Sequence, residues 1–456
     1  MNRMNNARAD VFSHSLDEMK QLATDAVGYG RTIGAIDVSI EIVNSQGKDV
    51  TVRRGTIETM QFSHETMISV SVHDGRRQGH ARTGDFSENA LRRTIAAAFD
   101  IARFAGEDVH SGLPDRTDLE MSPPDLDLFN AWDIQPGEAG ALAAEAEDAA
   151  FRADSRVSNV TGSYVSSHHL QRVLATSNGF VNGFAKSVHS LRCAPIAGTG
   201  NDMHSGSWLT RSVDARKLES PEAVGMRAGE RAASHVGARK LGTRKVPVLF
   251  EAPQATGLLQ TFVQAVSGVP LHRRATFLAD SLGKPVFADH VQIIEDSHLR
   301  GALGSAPFDS EGVRTCGRTV VENGVVRGYF LSTYSARKLG MRTTGNAGGA
   351  HNVFLSSSLT RPDDDLTTML RRLGTGVFVT DMIGQGMNMV TGGYSRGASG
   401  FWVENGEIQY PVHEITVAGT LQHIFRNVGA VGNDAYTSGS MTSGSLLVDG
   451  LTVAGS

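Results

Sequence analysis

Residues 35–43 read Ala-Ile-Asp-Val-Ser-Ile-Glu-Ile-Val, so Ile36, Val38, Ile40 and Ile42 alternate with Asp37, Ser39 and Glu41. A period of two sends alternate side chains to opposite faces, which identifies a half-buried β-strand. Upstream the period is different. Ser15 with Glu18 forms a capping box, and Leu16, Met19, Leu22, Ala23 and Ala26 recur at helical spacing until Gly28 and Gly30. Downstream, TVRR (51–54), TIETMQFS (56–63) and MISVSVHD (67–74) are short β-rich runs, and Asp74-Gly75 is placed as a hairpin turn. From Ser87 to about Ala105 the helical pattern returns, with Leu91, Ile95, Ala98, Phe99 and Ala102 on one face. Helix, antiparallel meander and helix together predict an α+β unit.

Residues 111–137 carry Pro114, Pro123, Pro124 and Pro136 among polar residues, as expected of a linker or wrapped connector. An Ala-rich helix (about 138–153) follows, then strands near 157–176 and 180–191 joined at Asn178-Gly179. Ser220, Pro221 and Glu222 open another helix, with serine and proline in their favoured first positions. After about 241, VPVLF reads as a buried strand and 253–267 as a helix, and strand-like runs with glycine turns dominate thereafter. Glu322-Asn323-Gly324 and Glu404-Asn405-Gly406 both signal type I′ hairpins. The expected organisation is α+β, with antiparallel N-terminal units at 1–122 and 123–240 and a β-rich C-terminal domain at 241–456.

Composition excludes several functions. Lys+Arg 43 against Asp+Glu 48 gives a net charge of -5, without the basic footprint of a nucleic-acid binder. Cys193 and Cys316 are the only cysteines, too few for a disulfide framework or a Cys-rich zinc site and compatible with a reducing compartment. The N-terminus shows no apolar leader and no stretch approaches a membrane span, so a cytoplasmic location is expected.

Chemical motifs are sparse in this sequence. H-E-x-x-H, which grips zinc from adjacent helical turns, is absent: His64-Glu65 falls in a strand, His413-Glu414 precedes ITVAG, and His168-His169 point to opposite faces of a strand. STYSARKLG holds two short spacings, Tyr334 to Lys338 (Y-x-x-x-K) and Ser335 to Lys338 (S-x-x-K). The first lacks a dinucleotide-binding strand, turn and helix, because GYGRTIG (28–34) follows a helix and precedes a strand. The second lacks K-T-G, and a helix start or a turn accounts for both spacings without either chemistry. GSAPFDSEGVRT (304–315) concentrates Asp309, Glu311 and Arg314 among small residues, a setting for polar recognition or for a solvated loop. IGQGMNMVTGGYSRGASG (383–400) has the glycines for close backbone approach to a peptide or another chain, or for close sheet turns, but lacks the G-x-x-x-x-G-K phosphate loop.

Three phrases in one order carry a resemblance: DSLGKPVFADHVQIIEDSHLRGALGSAPFDSEGVRT, LSTYSARKLGMRTTGNAGGAHN and GQGMNMVTGGYSRGASGFWVENGEIQYPVHEITVAG. Over about 246–425 the chain resembles the TldD/PmbA family ("modulator of DNA gyrase"), in its TldE (PmbA) branch. The resemblance implies a cytoplasmic two-chain peptidase that cleaves unfolded peptides and peptide precursors. The TldD-type partner would carry zinc on H-E-x-x-x-H, and the TldE-type chain would hold no metal or cofactor of its own. The corresponding stretch here, LFEAPQATGLLQTF (249–262), has no histidine, and Cys316 lies before the position of the family's late cysteine. Expected partners are a TldD-type zinc-bearing subunit, an unfolded peptide and, in isolation, a second copy, with no nucleic acid and no membrane. Asp309, Glu311, Arg314, Tyr334, Ser335, Arg337 and Lys338 are the candidates for lining a substrate or partner surface, the two arginines able to fork onto carboxylates. Internal ion pairing within the C-terminal domain is the competing reading of the same residues. Two other functions remain open at this level: a non-enzymatic peptide- or partner-binding protein, and a self-contained hydrolase using Tyr334, Ser335 and Lys338.

Overall fold

The computed structural model describes residues 11–455. The N-terminal stretch read as free of a leader lies partly outside them. Helix α1 (Leu16–Thr32) begins at the expected capping box and leads into β1 (Asp37–Arg53), β2 (Thr56–Asp74) and β3 (Arg77–Thr83), followed by α2 (Glu88–Phe104). After a connector come α3 (Pro136–Ala153), β4 (Val157–Thr176), β5 (Val181–Ala197), β6 (His204–Ser205), β7 (Trp208–Ser212) and α4 (Pro221–Ser234). β1 to β7 form one seven-stranded antiparallel sheet in the order β3-β2-β1-β4-β5-β6, with β7 also on β5.

The strand read at residues 36–43 extends to Arg53, and TIETMQFS and MISVSVHD are one strand. The join was hidden because residues 56–67 expose both faces and show no apolar alternation. Val38, Ile40, Ile42, Val50 and Val52 all point to one face and are buried. At one end they pack under α1 and α2 with Ile68, Val70 and Val72, and at the other under α3 and α4 with Val165, Leu191 and Cys193. Gly225 of α4 permits close approach of the helices, since a Cβ there would lie 2.0 Å from the Ala146 carbonyl oxygen of α3.

The C-terminal half begins with β8 (Arg244–Phe250), α5 (Ala252–Ala265), α6 (Gly268–His272), β9 (Val291–Asp296), β10 (Arg318–Glu322), β11 (Val325–Val326), α7 (Thr333–Lys338) and β12 (Asn352–Ser357). It continues with α8 (Leu366–Leu373), β13 (Gly376–Ile383), β14 (Gly393–Glu404), β15 (Glu407–Thr420), α9 (Leu421–Arg426), β16 (Val428–Val431), β17 (Tyr436–Ser438), β18 (Met441–Ser443) and β19 (Leu446–Gly455). One sheet runs β15-β14-β13-β8-β19-β16, and an additional β15–β19 pairing closes five of its strands into a barrel-like ring. The other runs β11-β10-β9-β12-β18-β17. Both Asn-Gly turns occur where expected, with Asn323 and Asn405 at positive φ (50° and 53°) ahead of Gly324 and Gly406. The core between the sheets is built around Phe250, Phe262, Phe287 and Phe425. The α+β class read from the sequence is the class observed.

Two glycines give opposite expectations. Gly225→Ala forces α3 and α4 apart and should cost about 1–3 kcal/mol in urea unfolding. Gly28→Ala meets nothing within 4 Å on α1 and should stabilise by about 0.5–1 kcal/mol through helix propensity and lost unfolded-state freedom.

Candidate functional site

The seven residues singled out from the sequence have their polar groups engaged inside the chain. Asp309 is 2% exposed. Its Oδ1 accepts the N–H groups of Glu311 (2.8 Å) and Val313 (2.9 Å), and its Oδ2 that of Ala347 (3.0 Å). Burial and then the Glu311 charge raise the carboxyl to about 7, against the pull of those N–H donors. Glu311 accepts the Thr333 N–H at the start of α7 (2.8 Å), and Arg314 donates to Glu120 (3.2 Å) and to the Leu119 carbonyl (3.4 Å). The Tyr334 hydroxyl donates to Asp108 at 2.8 Å, and the Lys338 ammonium lies 3.1 Å from the same carboxylate. The His110 N–H, the Tyr334 hydroxyl and Lys338 together hold Asp108 down at about 2. Arg337 donates to the carbonyls of Gly112 (3.1 Å) and Leu113 (2.7 Å). Ser335 is buried at the α7 cap, where it exchanges hydrogen bonds with Ser332 (3.0 and 3.2 Å).

These residues clasp the connector at 108–120 to the C-terminal half. Ser335 bonds to Ser332 while Lys338 bonds to Asp108, so no nucleophile and base face one another there. Asp309 also lines a cavity of about 470 Å³ with Arg172, Lys186, Ser310 and His351. The Lys186 ammonium is held there by the carbonyls of Leu303 (2.5 Å) and Ser305 (3.4 Å), and burial lowers its pKa.

A larger cavity, about 840 Å³, lies where the seven-stranded sheet meets the N-terminus of α5 and the ring formed with β13 to β15. His204, His235 and His413 converge on it from three distant segments. The rings of His204 and His413 are perpendicular with centroids 4.9 Å apart, and those of His204 and His235 are 6.2 Å apart. His204 bonds Asp202 through Nε2 at 2.8 Å, and His235 bonds the Thr380 hydroxyl at 3.2 Å. The Nδ1 atoms of His235 and His413 are buried without a hydrogen-bond partner among the described residues. Burial, and then neighbouring His204, Arg231 and His413, push His235 down to about 4, so it is neutral at physiological pH. Single-sequence reading missed this convergence because nothing local joins positions 204, 235 and 413.

Glu251 caps α5 beside this cavity, at the place where the resemblance puts zinc ligands in the other branch. Arg231 forks onto both its carboxylate oxygens (2.6 and 2.8 Å), donates to the Thr380 carbonyl (2.9 Å) and lies over the Trp208 ring. A catalytic zinc takes three protein ligands and leaves one position open. Here the carboxylate is committed to a guanidinium, α5 carries no histidine, and among the described residues no group of three His, Cys, Asp or Glu is arranged to hold a metal. These residues do not fit a zinc ion.

Fold and cavity define a class: an α+β chain with one long antiparallel sheet, a closed β ring and an imidazole-lined cavity at their seam. Comparison with known proteins specifies it further. Models of the PmbA/TldA metallopeptidase domain 1, central domain and C-terminal domain match residues 38–102, 129–236 and 243–455 in succession. The metalloprotease PmbA homolog of Haemophilus influenzae is 42% identical over 96% of both chains, and the metalloprotease PmbA of Escherichia coli O157:H7 is 41% identical over 93% of both. A Bacteroides thetaiotaomicron structure described as a candidate modulator of DNA gyrase superposes with a TM-score of 0.90 at 26% identity, covering 96% of this chain and 99% of that one. TldE from Thermococcus kodakarensis shares the fold, with a TM-score of 0.81 at 18% identity over 95% of this chain and 100% of that one. The chain belongs to the PmbA/TldD metallopeptidase family.

The Asp309 carboxyl gives a pH test. Its folded value, about 7, lies above the ordinary 3.8, so the folded chain keeps a proton that the unfolded chain has released between roughly pH 4 and 7. Its contribution is fully present at the acid end of that window and is lost as pH rises through it. The stability difference, wild type minus Asp309→Asn, should fall by on the order of a few kcal/mol between about pH 5 and pH 8 in urea unfolding. A difference that stays flat with pH would show that the buried carboxyl is ionised throughout.

Proposed function

We propose that this chain is the metal-free subunit of a two-chain zinc peptidase of the TldD/TldE type, acting in the cytoplasm on unfolded peptides and peptide precursors. One observation carries the reading. The chain matches the metallopeptidase family along its length, yet the start of α5 presents a glutamate locked by Arg231 and no histidine. The chemistry of hydrolysis, polarising a carbonyl and activating water, then falls to the partner's zinc. This chain contributes walls and peptide-backbone contacts. Its many strands suit an extended substrate, which is recognised through main-chain hydrogen bonds with little sequence preference.

Purified alone, the chain is expected to leave unfolded peptides intact and to bind much less than one zinc per chain. Adding a TldD-type chain that carries H-E-x-x-x-H should produce chelator-sensitive cleavage. Chelator-sensitive cleavage by the single chain would sink the proposal.

Glu251→Ala provides a separate check. It leaves Arg231 largely buried without its partner, which should cost about 3–5 kcal/mol while the zinc content stays unchanged. A fall in bound zinc would assign Glu251 to a metal.

A further inference from the structure

Three cations stand on one face of the seven-stranded sheet with too little acid to balance them. Between β4 and β5, Arg172 pairs with Phe184 and Leu170 with Lys186, and Arg211 of β7 pairs with Ser190. Residues two apart on a strand share a face, so Arg172, Lys186 and Arg211 lie on one face together with Leu170, Phe184 and Val188. It is the face turned away from the four helices, whose side of the sheet carries Val173, Leu191 and Cys193. All six residues line the cavity of about 470 Å³ against the C-terminal half.

The charges there do not cancel. Arg172 donates Nε–H to Glu41 (2.6 Å) and one Nη–H to the Ser310 carbonyl (3.1 Å). Half-buried Lys186 has the carbonyls of Leu303 and Ser305, and among the described residues no carboxylate pairs with it. Arg211 is exposed and its side chain has no hydrogen bond or ion pair among the described residues. Asp309 is the one acid that lines the cavity. Both its oxygens take backbone N–H groups, and it keeps its proton up to about pH 7. Glu41 therefore answers Arg172, and nothing answers Lys186 or Arg211. A cation withdrawn from water without an acid is costly, and a bound anion would remove that cost.

We propose that this cavity binds the carboxylate of a small apolar ligand, the free C-terminus of a short peptide or a small branched acid. Arg172 lies diagonally across the strands from Lys186, about 7–8 Å between Cα atoms, close enough for one carboxylate to bridge the two. Arg211 stands opposite Ser190, four residues along β5 from Lys186 or about 13 Å, and adds positive charge at the far end. Leu170 faces Lys186 and Phe184 faces Arg172, so an apolar bed lies beside the cations for the rest of the ligand. A bare phosphate would leave that bed unused. The cavity's volume falls within the few hundred Å³ of small-molecule sites. The inference concerns the chain by itself and does not rest on the peptidase reading.

Isothermal titration calorimetry on the full chain tests it with N-acetyl-dileucine, its C-terminal amide, isocaproate and inorganic phosphate. The titrations are run at about pH 6, where Asp309 keeps its proton and the ligand carboxylates are ionised. The dileucine acid should bind and the amide should bind at least about tenfold more weakly, the equivalent of one charge-assisted contact. Lys186→Met should weaken the acid by about tenfold or more on the same ground. Arg211→Gln should weaken it several-fold, and because Arg211 has no partner to lose, its circular dichroism melt should be unchanged. If Lys186→Met fails to fold, Arg211→Gln and the amide still decide. Leu170→Ala should weaken the dileucine acid and leave phosphate unaffected. Tighter binding of the dileucine acid than of isocaproate assigns the site to a peptide end, and equal binding assigns it to the small acid.

Equal affinity for acid and amide overturns the proposal. So does an affinity for the acid that neither Lys186→Met nor Arg211→Gln changes, saturable binding of phosphate with none of the acids, or no binding of any acid at millimolar concentration. None of these results bears on cleavage by the reconstituted pair, so the two readings fail separately.

Discussion

Strand length is the constraint on which the rest of the structure depends. β1, β2, β4 and β5 have 17, 19, 20 and 17 residues, or about 55–65 Å at roughly 3.3 Å per residue. A helix of 17 residues reaches only about 25 Å, so one helix pair covers less than half of such a sheet. Two pairs are needed on one face, and the cores beneath α1/α2 and beneath α3/α4 are separate. Between them lies a belt that neither pair covers. The connector at 128–134 crosses it, and polar side chains there take up the connector's backbone: His189 bonds the Asn130 carbonyl at 2.8 Å, Ser167 the Trp132 carbonyl at 3.0 Å, and His169 the Trp132 N–H at 3.3 Å. Buried histidines in the middle of long strands thus have a structural cause.

The opposite face meets the C-terminal half only in part. Leu174 and Phe180 pack against Leu119 and Phe308, and the rest of the seam leaves the two cavities. Charge at the seam is arranged to hold the halves together. Asp108 takes Tyr334 and Lys338, Glu120 takes Arg314, Asp118 takes Arg342 at 2.8 Å, and Arg172 of β4 donates to the Ser310 carbonyl at 3.1 Å. Each exposed pair contributes little alone. The set nevertheless fixes the connector's path along the C-terminal half.

Legibility in the sequence follows from these facts. Elements with one dry face were readable: α1 through its capping box, β1 through Ile36–Ile42, α4 through Ser220-Pro221, and both Asn-Gly hairpins. The middle of β1 and β2 was not, because residues such as Asn44, Gly47, His64 and Glu65 lie where the helix cover is missing and alternation has nothing to report. At the site, residue types were readable but partners were not. Asp309 and Arg337 look alike in a sequence whether they meet a ligand or the chain's own backbone. The three cavity histidines left no local signal at all, since only the folded seam brings them together.

The Arg231–Glu251 pair raises the question of why a charge stays buried at the start of α5. A buried carboxylate without a partner is costly and tends to protonate, while a fork onto a guanidinium satisfies both oxygens in fixed geometry. Glu251 has such a partner in Arg231, which is placed by α4, an element of the other half. The pair then joins the two halves beside the larger cavity. One arginine from the opposite half thus holds the start of α5 and β13 at once, through Glu251 and the Thr380 carbonyl.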